Sequence, residues 1–87
     1  MRRDKMQIMA AILRTCDCTD GVNKTRIVYQ ANLNFRTVNP YLSFLIEKGL
    51  IEVRHDGRLY KISDTGVNML EKFKNIEHNL GIIYGRT

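Results

Sequence analysis

Apolar positions recur along the chain with two different periods, and they divide it into short segments. Met6, Met9, Leu13 and Cys16 fall at helical spacing, with Ile8 and Ile12 widening the stripe, which predicts a first helix from Arg3 to about Cys16. The stripe is broad for one core contact, so this helix has surface for a second partner as well. Asp17 to Val22, with Asp20 and Gly21, reads as a loop. Asn23 then supplies a helix cap for a second helix, Lys24 to Ala31, whose Ile27, Val28 and Ala31 face inward. Asn32 closes that helix and Leu33 is expected in the turn. Asn34 caps a third helix running to Lys48, with Val38, Leu42, Leu45 and Ile46 on its inner face and Tyr41 at the edge. Gly49 is its C-terminal stop.

Pro40 complicates the third helix. It lies inside the helical pattern, where it removes one backbone donor and crowds the carbonyl of Arg36. Either the first turn is bent or tightened, or the helix begins at Asn39 with Pro40 at its first position. Beyond Gly49 the period changes. Leu50 to Arg54 and Arg58 to Ile62 read as two strands around His55-Asp56-Gly57, where Asp-Gly is a strong hairpin signal. Ser63 or Thr65 caps a fourth helix, Asp64 to about Leu80. Gly81 ends it, and Ile82, Ile83 and Tyr84 form an apolar tail.

The fourth helix carries two apolar faces. Val67 and Leu70 suit packing on the domain. Met69, Phe73, Ile76, Leu80 and Ile83 are spaced as a heptad seam, which fits a dimer interface or a helix folded onto its own core. Helix, turn, helix and hairpin in this order are the plan of a winged helix-turn-helix. The expected class is mainly α with a small β-hairpin (α+β), with residues 1–63 as the winged domain and 64–87 as a C-terminal dimerisation helix and tail.

With 87 residues the chain is one small domain with a modest core, which dimerisation would supplement. An apolar content of 44% argues against disorder. No long apolar run predicts a membrane span, and no secretory signal pattern opens the sequence. The formal charge is +5, and +4 of it lies between Lys24 and Lys61, in the helix-turn-helix and hairpin. That placement is the footprint of a phosphate-binding face; a solvated surface with a basic bias is the plainer alternative.

Cys16 and Cys18 stand alone as a Cys-x-Cys pair. His55 and His78 are far apart, so the four ligands of a zinc site are missing. A disulfide across one residue would close a strained ring, so both are read as reduced thiols in a cytoplasmic setting, with a redox role or an intermolecular bridge as the alternatives. No nucleophile–base pair, metal spacing or Gly-rich phosphate loop is present, so neither an enzyme nor a cofactor is expected.

Candidate binding residues follow from helix-turn-helix geometry, in which the N-terminal half of the second helix enters the major groove. Here that half offers Asn34, Arg36, Thr37 and Asn39. Arg suits the acceptors of guanine and Asn suits adenine, so Arg36 and Asn39 are the expected base readers. Asn34 also reads as a plain cap, and Arg36 as a phosphate contact. Ser43, one turn on, is placed to reach a phosphate. Lys24, Thr25 and Arg26 open the second helix, where backbone N–H groups and positive side chains hold phosphate. Arg54, His55 and Arg58 sit at the hairpin tip, and each also reads as an exposed edge charge.

Three blocks carry a resemblance: Lys24 to Leu33; Tyr41, Leu42 and Leu45 with Glu47 to Ile51 (Glu-Lys-Gly-Leu-Ile); and Tyr60 to Gly66 (Tyr-Lys-Ile-Ser-Asp-Thr-Gly). Together they resemble the archaeal winged-helix regulators, and most nearly the small basic ten-kilodalton DNA-binding proteins of crenarchaea. The resemblance spans roughly Met6 to Leu80. It implies a winged helix with an added C-terminal helix, and a homodimer whose added helices pair as an antiparallel coiled coil. It also implies double-stranded DNA as partner and a chromatin-associated or transcriptional role, hence a place on the nucleoid. In that frame the third helix is the recognition helix and His55-Asp56-Gly57 the wing tip. Pro40 within the recognition helix and a short fourth helix depart from the pattern. A protein that coats DNA with little sequence preference, and an interaction module using Phe35, Pro40 and Phe44 as an apolar patch, are the competing expectations.

Overall fold

A computed structural model describes residues 3–79. The elements are α1 (Lys5–Thr15), α2 (Lys24–Gln30), α3 (Phe35–Glu47), β1 (Ile51–Arg54), β2 (Leu59–Ile62) and α4 (Asp64–Asn79). The expected order therefore holds, with helix ends moved by a residue or two.

Local capping explains where the helices begin. Asp4 accepts from the Gln7 backbone N–H at 2.8 Å, and its own N–H donates to Gln7 Oε1 at 2.7 Å, a reciprocal capping box. Arg3 is consequently outside α1, and its guanidinium donates to the Asn32 carbonyl at 3.0 Å. Asn23 accepts from Arg26 N–H at 2.8 Å at the start of α2. Asn34 accepts from Thr37 N–H at 2.7 Å at the start of α3. The alternative start at Asn39 is thus wrong: α3 runs from Phe35 straight through Pro40, because its cap lies upstream of the proline.

Helix ends follow equally local rules. Asn32 adopts a left-handed φ of 56°, and Leu33 N–H reaches back to Val28 O at 2.8 Å. Gly49, with φ 74°, ends α3 the same way, with Leu50 N–H on Leu45 O at 2.9 Å. Of the two proposed caps for α4 it is Ser63 that serves: its hydroxyl accepts from Gly66 N–H at 2.9 Å and donates to Gly49 O at 2.6 Å.

The core gathers Ile12, Leu13 and Cys16 of the α1 region, Ile27, Val28 and Ala31, Val38, Leu42 and Leu45, Leu50, Ile51 and Ile62, and Leu70 of α4. Three expected inner residues face outward instead. Met6 is 47% exposed, and Ile46 and Val67 are exposed as well. Met6 shares the helix face of Ala10 and Leu13, four and seven residues on, but it lies in the first turn of α1, ahead of the buried residues, which begin at Ala10. Val67 gives way on α4 to Gly66 and Leu70, the residues that lie against the hairpin and core.

β1 and β2 pair antiparallel, Ile51 opposite Ile62 and Arg54 opposite Leu59. Arg58 belongs to the turn, and Leu50 precedes β1. Val22 adds an isolated bridge to Tyr60, with backbone bonds of 2.9 and 2.7 Å, so the segment expected as loop lends the hairpin a third, one-residue strand. Lys61 Nζ donates to Cys18 O and Ile62 N–H to Cys16 O, tying the same segment down.

Candidate nucleic-acid interface

The start of α2 and the N-terminal half of α3 are brought together by the turn between them. Thr25 and Arg26 are exposed at the first turn of α2. Lys24 spans to α3, where its ammonium donates to Asn39 Oδ1 at 2.8 Å. On α3, Arg36, Asn39 and Ser43 are exposed and follow at three and four residues, so they form one stripe on the helix surface. Arg36 has no hydrogen bond or ion pair to another described residue, which leaves its guanidinium donors available.

Asn34 and Thr37 are committed to each other. Asn34 Oδ1 receives both the backbone N–H and the hydroxyl of Thr37, the latter at 2.8 Å. The capping role of Asn34 is therefore met in the structure. The polar side chains left to face outward from this half of α3 are Arg36 and Asn39.

The wing is a tight turn. His55 and Asp56 take φ of 55° and 56° and Gly57 takes 86°, and Arg58 N–H bonds His55 O at 3.1 Å. Arg54 pairs with Glu52 at 3.1 Å, two residues away on the same strand face, with both side chains about half exposed. An exposed pair of this kind is weak, yet it offsets part of the positive charge at that position. Arg58 is exposed with no such partner among the described residues. No hydrogen bond joins the wing tip to α2 or α3 among those residues. Lys61, counted in the basic surplus, is occupied by the Cys18 carbonyl.

Two features went unmarked in the sequence. Tyr29 on α2 is 76% exposed, the most open of the large apolar side chains among the described residues. The Lys24–Asn39 bond joins residues 15 apart, and no local pattern signals it.

Beside α3 an apolar groove of about 410 Å³ is lined by Lys5, Met9, Thr37, Pro40, Tyr41 and Phe44. It unites Pro40 and Phe44 of the expected apolar patch but not Phe35. On α4, Met69 and Phe73 are half-buried against the core, whereas Ile76 is 47% exposed. Leu80 and Ile83, the remaining seam positions, lie outside the described residues. No group of three or more potential metal ligands occurs among the described residues. Cys16 and Cys18 are free thiols. Burial, and secondarily the neighbouring Cys18, push the Cys16 thiol up to about 12. No described helix is long and apolar enough to cross a membrane.

Comparison with known proteins agrees with this architecture. A family model described as winged helix-turn-helix matches residues 2–80. An uncharacterized protein of Methanocaldococcus jannaschii is 32% identical over 76 residues, covering 87% of this chain and 35% of that protein. The chain thus spans about a third of the length of the curated relative it matches. Among solved structures, Sso10a-2, a DNA-binding protein from Sulfolobus solfataricus, aligns with a TM-score of 0.68 at 32% identity, over 90% of this chain and 85% of that one.

Proposed function

The chain belongs to the winged helix-turn-helix family, and from that premise we propose that it is a dimeric double-stranded DNA-binding protein, a transcriptional regulator that reads the major groove with α3. The observation that carries this reading is the exposed stripe Arg36, Asn39 and Ser43 beside the basic first turn of α2. Phosphates are held by Arg26, by the backbone at the start of α2 and by Arg58 on the wing, while Arg36 and Asn39 face base edges. Similarity to Sso10a-2, itself a DNA-binding protein, supports the same partner. The exposed Ile76 on α4 supports a second copy of the chain as the other partner. The role is that of a cytoplasmic, nucleoid-associated binding protein without a cofactor, not an enzyme.

One observation favours an architectural role with little sequence preference. Asn34 and Thr37 satisfy each other, so few groups on α3 remain to read bases. A salt series on a randomised duplex, with selection for preferred sequences, separates the two. A regulator loses affinity steeply with salt and enriches two half-sites about one helical turn apart. An architectural protein shows the same salt slope without enrichment. Absence of binding at low salt would refute both.

A further inference from the structure

We propose that Lys24 and Asn39 form one recognition unit that presents chiefly hydrogen-bond donors and a positive charge to DNA and selects the edge of guanine over that of adenine. This assignment rests on the DNA-binding reading above and names the base that the unit takes.

A free asparagine carboxamide offers one acceptor and one donor side by side. That pattern matches adenine, whose major-groove edge presents the N6 donor and the N7 acceptor. In this protein one of the two lone pairs of that acceptor is already engaged, because Lys24 Nζ donates to Asn39 Oδ1 at 2.8 Å, and the ammonium charge beside it makes the oxygen a poorer acceptor for a second donor. A bond from an ammonium is charge-assisted and stronger than one between neutral groups. It also fixes the carboxamide: with Oδ1 held toward α2, the Nδ2 amino group is the part left to meet a partner. The lysine keeps two further N–H donors, since an ammonium has three and no acceptor.

The joint surface is therefore dominated by N–H groups around a positive charge. An adenine set against it would bring its N6 donor toward the ammonium, donor against donor. Thymine O4 and adenine N7 each offer a single acceptor. Guanine offers two adjacent acceptors, N7 and O6, and these match two adjacent donors. Asn39 lies three residues after Arg36 on the exposed stripe of α3, in the half that enters the groove. Arg36 is donor-only as well, so both base-facing groups of the helix seek acceptors.

The test compares sequence selection from a randomised duplex by the full chain and by Lys24→Met, which frees Asn39 Oδ1, and Lys24→Arg, which retains a donor. The full chain is expected to enrich guanine at one position of each half-site. In Lys24→Met the guanine-to-adenine ratio at that position falls about 10-fold or more, the scale of one bidentate contact, while other positions keep their preference. Lys24→Arg retains guanine. An unchanged ratio in Lys24→Met, or equal loss of affinity on every sequence, overturns the proposal and makes Lys24 a phosphate contact. Binding of the full chain without preference at any position overturns it too. In the absence of DNA, the side-chain amide signals of Asn39 are expected to shift in Lys24→Met by NMR. Unchanged signals overturn the unit even where DNA binding itself is intact, which separates failure of this proposal from failure of the functional reading.

Discussion

Substitution of Gly66 by alanine probes how α4 is seated on the hairpin. In an exposed helix interior the change would stabilise by about 1 kcal/mol, because alanine is the better helix former. Here a Cβ would lie 2.2 Å from the Leu50 carbonyl oxygen and 2.6 Å from Ile62 Cγ1. Carbon and oxygen ordinarily approach no closer than about 3.3 Å, so α4 must retreat by about 1 Å. The obstacle is backbone, not the end of a flexible side chain. The same Leu50 oxygen accepts from Ser63 N–H at 3.0 Å, and the Ser63 hydroxyl bridges Gly49 O and Gly66 N–H. A retreat therefore strains three hydrogen bonds, each worth about 0.5–1.5 kcal/mol, in addition to an overpacking cost of about 1–3 kcal/mol. After the propensity gain, the net expectation is a loss of about 2 kcal/mol. For a domain of this size that lowers Tm by about 8–16 °C. Thermal unfolding followed by circular dichroism at 222 nm measures it, at one fixed protein concentration because association would shift Tm. Gly49→Ala is the control. Its Cβ meets nothing within 4 Å, but φ is +74°, so the expected loss is about 1–2 kcal/mol from the left-handed backbone alone. A Tm for Gly66→Ala equal to or above that of the parent chain would refute the close seat of α4 on Leu50.

Ile76→Asp is expected to yield monomers with weaker DNA binding and a lower Tm that no longer depends on protein concentration; an intact dimer in sedimentation would remove α4 from the interface. Ile76 is a cleaner site than Phe73, which also packs on the core. Arg36→Ala should weaken specific binding by about 1–3 kcal/mol if the guanidinium is a bidentate base contact, and equal losses across competitor sequences would demote it to a phosphate contact. The Cys16 thiol is raised from 9.0 to about 12 in the folded chain, so the folded state holds this proton more tightly than the unfolded one. Its contribution is complete below pH 9 and is lost as pH rises from about 9 toward 12, with a slope of up to about 1.4 kcal/mol per pH unit. Cys16→Ala should lose that part of the alkaline slope in denaturant titrations; identical slopes in the two proteins would contradict it.

Much of the architecture was legible in the sequence because its signals act within a few residues. Asn23 and Asn34 cap their helices through bonds three residues away, Asn32 and Gly49 take the left-handed conformations that end helices, and Asp56-Gly57 turns the hairpin. The candidate face was legible for the same reason, since Arg36, Asn39 and Ser43 share a side by helical spacing alone. The Asp4–Gln7 capping box is equally local, and it sets the start of α1 two residues beyond the Arg3 that apolar periodicity alone suggests.

Other features depend on how finished elements meet. Helical spacing marks which apolar residues lie on one side, but not which of them a neighbour covers. Met6, Ile46 and Val67 fit their stripes and still face outward, while Met69 and Phe73 are drawn half into the core. The bridge from Val22 to Tyr60 is a single residue and has no alternation to read. Gly66 looks like a weak point in a helix until the Leu50 carbonyl is placed against it. By itself the sequence determined the order of elements, their caps and turns, and the basic helix-turn-helix face, because those follow from hydrogen bonds and periodicities a few residues long. Only the tertiary structure decided which candidate side chains are free. It joined Lys24 to Asn39, Arg54 to Glu52 and Lys61 to Cys18, and it left Arg36 unpaired among the described residues. The physical reason is that availability of a donor or acceptor is set by neighbours in space, and two of these three partnerships cross between elements that meet only on folding.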